Sequence, residues 1–142
     1  MNSNSKTTEK EDVKINVKIK LSTLWGALMF IYIYADILHL FIPGQIEKMM
    51  EGFMGPFPVT QGSLLSASIL MMIPAVMVFL SLTLKPKVNR RANIILGVLF
   101  TCVNISNSIG ETWAFYIFFV IVEIVLTLLI VGHAWKWRNP EG

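Results

Sequence analysis

The sequence predicts an all-α fold: a four-helix transmembrane bundle, antiparallel and up-down, with a short amphipathic interfacial helix after the first span. Three observations predict it. First, four apolar runs of about twenty residues fall at roughly 21–42, 63–84, 92–109 and 113–134. At about 1.5 Å of rise per residue, each is long enough to cross a hydrocarbon core about 30 Å thick. Second, the 142 residues are 54% hydrophobic and only 15% charged. A soluble domain carries about 25% charged residues, so the polar exterior of a soluble fold is missing. Third, the charges alternate in placement. Lys6, Lys10, Lys14, Lys18 and Lys20 precede the first run, Lys85, Lys87, Arg90 and Arg91 lie between the second and third, and Lys136 and Arg138 follow the fourth. Of the basic residues, the other two connections hold only Lys48. By the positive-inside rule both termini and the 85–91 connection are cytoplasmic, in a cell (plasma) membrane protein. The chain then divides into a disordered basic tail (1–20), a membrane domain (21–138) and a C-terminal tail (139–142).

Each element follows from local signals. Residues 1–12 have no apolar side chain after Met1 and read as disordered. Val13, Ile15, Val17 and Ile19 alternate with polar residues, which predicts an extended or fraying segment on the headgroups, since no second strand is offered to pair with it, or else a short partner-binding strand. Ser22 or Thr23 caps the first helix and Pro43-Gly44 ends it. The run is too long for a cleavable signal core and reads as a signal anchor. Ile46, Met49, Met50, Phe53 and Met54 recur at helical spacing in the next connection. They predict the interfacial helix, either as a lid over the bundle mouth or as a Met-rich docking surface. Ser63, Ser66, Ala67 and Ser68 open the second helix with small residues suited to close helix contact, and Pro74 predicts a kink. Asn89 caps the third helix, Gly110 ends it and Thr112 caps the fourth. The tight 110–112 turn makes the last two helices antiparallel neighbours. Trp25 and the Trp135/Trp137 pair mark the inner interface; Trp113 and Tyr116 mark the outer one.

Ionisable residues inside a bilayer are costly and usually face the bundle interior. Asp36 and His39 share a helix face with Tyr32. Asn104, Asn107, Ser108 and Glu111 form a second polar stripe, with Asn104 at the depth of Asp36. Glu123 lies near the midplane of the fourth run, with Thr127 a turn below. The candidate site is thus an outward-opening pocket for a proton or ligand: Asp36, His39, Glu123, Asn104, Asn107, Tyr32 and Glu111. Glu123 or Asp36 would hold the proton and His39 would relay it. The competing reading is polar glue that locks the helices in register at about 0.6 kcal/mol per bond. His133 is at the cytoplasmic end and cannot join His39, and no Glu-x-x-His pair exists, so no metal is assigned. Cys102 stands alone and forms no intramolecular disulfide. No nucleophile elbow, phosphate-binding glycine loop or cofactor motif occurs, so no catalytic residue and no cofactor is assigned, and an enzyme is the less favoured class. Split among membrane flanks, the basic residues point to anionic lipid headgroups rather than nucleic acid.

The segment Tyr34-Ala35-Asp36-Ile37-Leu38-His39-Leu40-Phe41-Ile42-Pro43-Gly44 is the distinctive one. Together with the small-residue start of the second helix, Pro74, Asn104 and Glu123, it resembles the uncharacterised domain-of-unknown-function family 6326 of small four-helix membrane proteins. The resemblance covers nearly the whole chain after about Lys18; it implies a four-span membrane protein and no activity. A looser likeness, through layout alone, is to the DoxX-like membrane proteins. Three functions fit: an accessory or structural component of a membrane complex, as a homo-oligomer or with a membrane partner protein; a small-solute or proton-coupled binding or transport protein; or a small membrane redox subunit.

Overall fold

The computed structural model describes residues 13–138; the expected tails at 1–12 and 139–142 lie outside the described residues. The first helix, α1, runs Val17–His39. It begins earlier than the alternation predicts, and Val17–Lys20 are helical rather than extended. Asn16 is the cap: its side chain accepts the Lys18 backbone N–H at 2.9 Å. Ser22 and Thr23 are not caps, because their hydroxyls donate instead to the carbonyls of Val78 and Ile19. Tertiary contact draws the segment into the helix: Lys18 Nζ donates to the carbonyl of Leu84 at 3.0 Å. At the other end α1 stops at His39, short of Pro43. The N–H groups of Leu40, Phe41 and Ile42 each bond three residues back, so the helix tightens before the proline.

Gly44, at φ +82°, reverses the chain into α2 (Gln45–Met50). The predicted interfacial helix is shorter than its pattern. Phe53 and Met54 leave it and form β1 (Phe53–Met54), paired antiparallel with β2 (Phe57–Pro58). Gly52, at φ +86°, ends the helix and Gly55 turns the hairpin. Next comes α3 (Gln61–Thr83), opened by a reciprocal Thr60–Ser63 capping box and unbroken across the buried Pro74. Then α4 (Pro86–Ser108) starts with Pro86 in its first turn and Lys85 at the cap. Asn89 is not the cap; it is fully buried one turn in. Gly110, at φ +81°, turns the chain into α5 (Ala114–Lys136). Thr112 is not its cap either: Glu111 Oε1 accepts the N–H groups of Thr112 and Trp113.

Side-chain registers fix the arrangement of the four long helices. Lys18 meets Leu84 and Ser22 meets Val78, so α1 and α3 run antiparallel. Arg90 meets Ala134 and Thr101 meets Thr127, so α4 and α5 do too. The helix α1 also lies along α5, whereas α3 makes little contact with α4. Leu21, Trp25, Leu28, Met77, Phe100, Ile130 and Ala134 form the core between them. Trp25 is therefore no interface anchor: it is fully buried, edge-on to Phe100 at 5.9 Å. Gly97 lets α4 approach α5, since a Cβ there would lie 2.6 Å from Val131 Cγ2.

Three of these helices, α1, α3 and α5, are long and apolar enough to cross a membrane. The fourth, α4, is equally long but begins with Lys87, Arg90 and Arg91 and buries Asn89, Asn93 and Asn104. Large apolar side chains, such as Phe30, Ile69, Phe79, Ile95, Phe118 and Leu128, point outward. A water-soluble surface does not sustain that display, and a membrane protein does.

Candidate functional site

The end of α1, the end of α4 and the first half of α5 bring a polar cluster together at one end of the molecule. Tyr32 is buried, and its hydroxyl donates to Oδ1 of the fully buried Asn104 at 2.8 Å. The partner of Asn104 is thus Tyr32, one turn deeper than Asp36. The amide Nδ2 of Asn104 has no partner among the described residues, and neither does Nδ1 of the half-buried His39. The His39 ring stands edge-on to Tyr116, with centroids 5.2 Å apart at 61°. Glu123 is 4% exposed and makes no hydrogen bond among the described residues. Its carboxylate is within electrostatic range of Asp36, Tyr32 and Tyr116. Asp36 is solvent-exposed, with the His39 imidazole within electrostatic range. Because α1 ends at His39, Asp36 is only about 4.5 Å of helix rise from the end, shallower than its distance to Pro43 predicts.

Two predicted members do not join. Asn107 is exposed, away from Asn104. Glu111 uses its carboxylate on the N–H groups of the turn into α5. Tyr116, predicted as an interface aromatic, joins the cluster through its ring contact with His39. Thr127 lies below Glu123 but bonds with Thr101 at 2.8 Å, tying α5 to α4. Among the described residues, no three His, Cys, Asp or Glu side chains converge on one point where an ion would bind. What remains is a cluster with two carboxylates, one imidazole, two phenols and an amide donor. That chemistry suits a proton or a small solute carrying positive charge and hydrogen-bonding groups.

A second polar layer, at the opposite end, escapes the sequence reading. Trp25 Nε1 donates to Asn93 Oδ1 at 2.7 Å, and Asn93 Nδ2 donates to Asn89 Oδ1 at 2.7 Å. Asn89 Nδ2 in turn donates to the Ser81 carbonyl at 2.6 Å. The signal was present in the spacing. Asn89, Asn93, Gly97, Phe100 and Asn104 recur at steps of four, four, three and four, which is one helix face, and all five are buried.

Neither a curated protein nor a solved structure matches the chain. A family model does match, over residues 10–142, and the chain belongs to that family, the family of unknown function DUF6326.

Proposed function

We propose that the chain is a multi-pass plasma-membrane protein whose four long helices all span the bilayer as a bundle, with the Tyr32–Glu123 cluster opening on the outer side. Charge placement supports that orientation. The start of α1, the 84–86 connection and the end of α5 gather Lys14, Lys18, Lys20, Lys85, Lys87, Arg90, Arg91, Lys136 and Arg138 at one end; the described residues of the opposite end include only Lys48 among the basic residues. Membership of the family is consistent with this reading and adds no activity to it.

Within that bundle the cluster of Tyr32, Asp36, His39, Asn104, Tyr116 and Glu123 is a binding site for a small polar solute or a proton. One observation carries the reading: Asn104 Nδ2 and His39 Nδ1 are buried with no partner among the described residues, in a cluster that also holds the buried Glu123. An unpaired buried polar group costs about 1–3 kcal/mol, so a partner from outside the chain is favoured there. The test is proton or solute flux in proteoliposomes of the full chain, wild type against Glu123→Gln and Asp36→Asn. Gradient-driven flux that both variants lose supports the site. The absence of flux and of solute-dependent stabilisation in the wild type overturns it.

A second reading, an accessory component of a membrane complex, draws on the outer connection. Met49, Met50, Phe53 and Phe57 are all exposed there, on α2 and the hairpin. Exposed methionines adapt to apolar partners. Stoichiometric co-purification of a membrane protein, lost on Met50→Ser/Phe57→Ser, supports this reading; a chain that purifies alone under gentle solubilisation counts against it.

A further inference from the structure

Two polar layers lie on either side of Phe100, and the same two helices build both. The helix α1 packs on α3 and α5, and α4 packs on α5 and only slightly on α3, so α1 and α4 face each other across the bundle. Side chains that join them therefore lie on its axis. Toward the basic end, Trp25 Nε1 reaches Asn93 Oδ1 at 2.7 Å; toward the Glu123 cluster, the Tyr32 hydroxyl reaches Asn104 Oδ1 at 2.8 Å. Asn93 and Asn104 are separated by about 16 Å of helix rise. Between these two bonds the axis is apolar. Phe100 is fully buried, edge-on to Trp25 at 5.9 Å and tilted against Tyr32 at 6.4 Å. Leu28, one turn from both Trp25 and Tyr32 on α1, and Ile130 on α5 are fully buried as well. Gly97, on the same face of α4, adds no side chain. The Thr101–Thr127 pair extends the polar groups from Glu123 one turn toward this layer.

A packed core accounts for Leu28 and Phe100 alone. It does not account for buried asparagines on both sides of them. Burying an amide costs stability unless it is paired, and Asn104 is paired only in part among the described residues. A polar column cut by a single apolar layer is the arrangement of a barrier, because a constriction lined by hydrocarbon sheds water and opposes the passage of charge. The bonded Trp25–Asn93 layer holds α1 and α4 in register and so keeps that barrier closed.

We infer that Phe100 and Leu28 form the barrier that a proton taken up at the Glu123 cluster crosses on its way to the basic end. This rests on the cluster being a proton site. One O–H bond forms on the Glu123 carboxylate and breaks again when the proton passes to water beyond the layer; nothing is oxidised or reduced.

The experiment is proton entry into proteoliposomes of the full chain, driven by a potassium–valinomycin potential and read by a trapped pH-sensitive dye. Melting in detergent shows which variants are folded. Phe100→Ala and Leu28→Ala are each expected to speed entry about tenfold, equivalent to about 1.4 kcal/mol off the barrier. Phe100→Leu keeps a smaller apolar side chain; it is expected to fold where alanine does not and to give a smaller gain. Adding Glu123→Gln is expected to abolish each gain. A flux that depends on Glu123 but is unchanged by the Phe100 and Leu28 variants overturns the barrier and leaves the proton site standing. A gain that survives Glu123→Gln, or no flux through any of the chains, overturns the proton site and the barrier with it.

Discussion

The two ends of the molecule use buried polar groups in opposite ways. At the basic end, the Trp25 indole, Asn93, Asn89 and Ser81 form one connected set of hydrogen bonds, and Ser22, Lys18 and Arg90 each donate to a carbonyl of a neighbouring helix. Those groups are neutral or cationic, and each is answered within the chain. At the other end the polar groups are two carboxylates, an imidazole, two phenols and an amide, and two of their buried nitrogens are unanswered among the described residues. A satisfied network in a low-dielectric interior rigidifies and specifies one packing; an unsatisfied one costs stability. The contrast therefore separates the polar residues that hold the helices together from those left available for a task.

The strongest attempt to break that contrast is Trp25→Ala. It removes the largest fully buried side chain of the core, its contact with Phe100 and the bond to Asn93. A loss of about 3–5 kcal/mol is expected, read as a large fall in the melting temperature of the full chain in detergent. Trp25→Phe should cost less, because Ser81 Oγ still lies 3.4 Å from Asn93 Oδ1. If Trp25→Ala melts like the wild type, the basic end is not the structural anchor. Gly97→Ala comes next. Its new methyl would meet Val131 Cγ2 at 2.6 Å, and a β-branched side chain in a helix has one preferred rotamer in which to yield. A cost of about 1–3 kcal/mol is expected from overpacking at the α4–α5 contact, again read by melting.

The apolar runs and the turns at Gly44 and Gly110 were legible because they rest on local signals: run length, and glycine where φ must be positive. The caps were not. Ser22, Asn89 and Thr112 have the chemistry of cap residues, but Ser22 and Asn89 bond across helices, and at Thr112 the neighbouring Glu111 takes the free N–H groups instead. A side chain's choice between a local and a long-range partner is a tertiary matter that spacing does not encode. The same holds for the site. Tyr32, Asp36 and His39 share a face by helical geometry alone, and the stripe through Asn104 was visible. The sides of α4 that bear Asn104 and Asn107 were not separable, because three residues apart leaves room for one to be buried and the other exposed. Trp25 illustrates the opposite failure. A tryptophan near a helix end is common at an interface, and only the Asn93 side chain across the core reveals why it is buried.

A smaller effect sharpens the contrast. Tyr32→Phe leaves the packing near Phe100 in place and removes the only hydrogen bond that the Asn104 side chain makes among the described residues. A loss of about 1 kcal/mol is expected, in the range of one intramolecular hydrogen bond. A loss as large as that of Trp25→Ala would show that the Glu123 cluster is structural as well.

The smallest effect on stability is expected at the residue most central to the proposed site. Glu123 is nearly fully buried, yet no described side chain or backbone group donates a hydrogen bond to it. Its electrostatic neighbours are Asp36, a like charge, and the phenols of Tyr32 and Tyr116. Glu123→Gln keeps the shape and removes the ionisable group, so it takes nothing from the fold that the fold uses. Melting is expected to stay within about 0.5 kcal/mol of the wild type or to rise, as happens where a functional group is held at the expense of stability. Measured beside flux or solute binding, the same substitution divides the two readings of the Glu123 end. Unchanged melting with lost binding marks Glu123 as a ligand-holding group. A fall of several degrees, with no change in any binding signal, would make it one more helix-to-helix contact and erase the difference between the two ends.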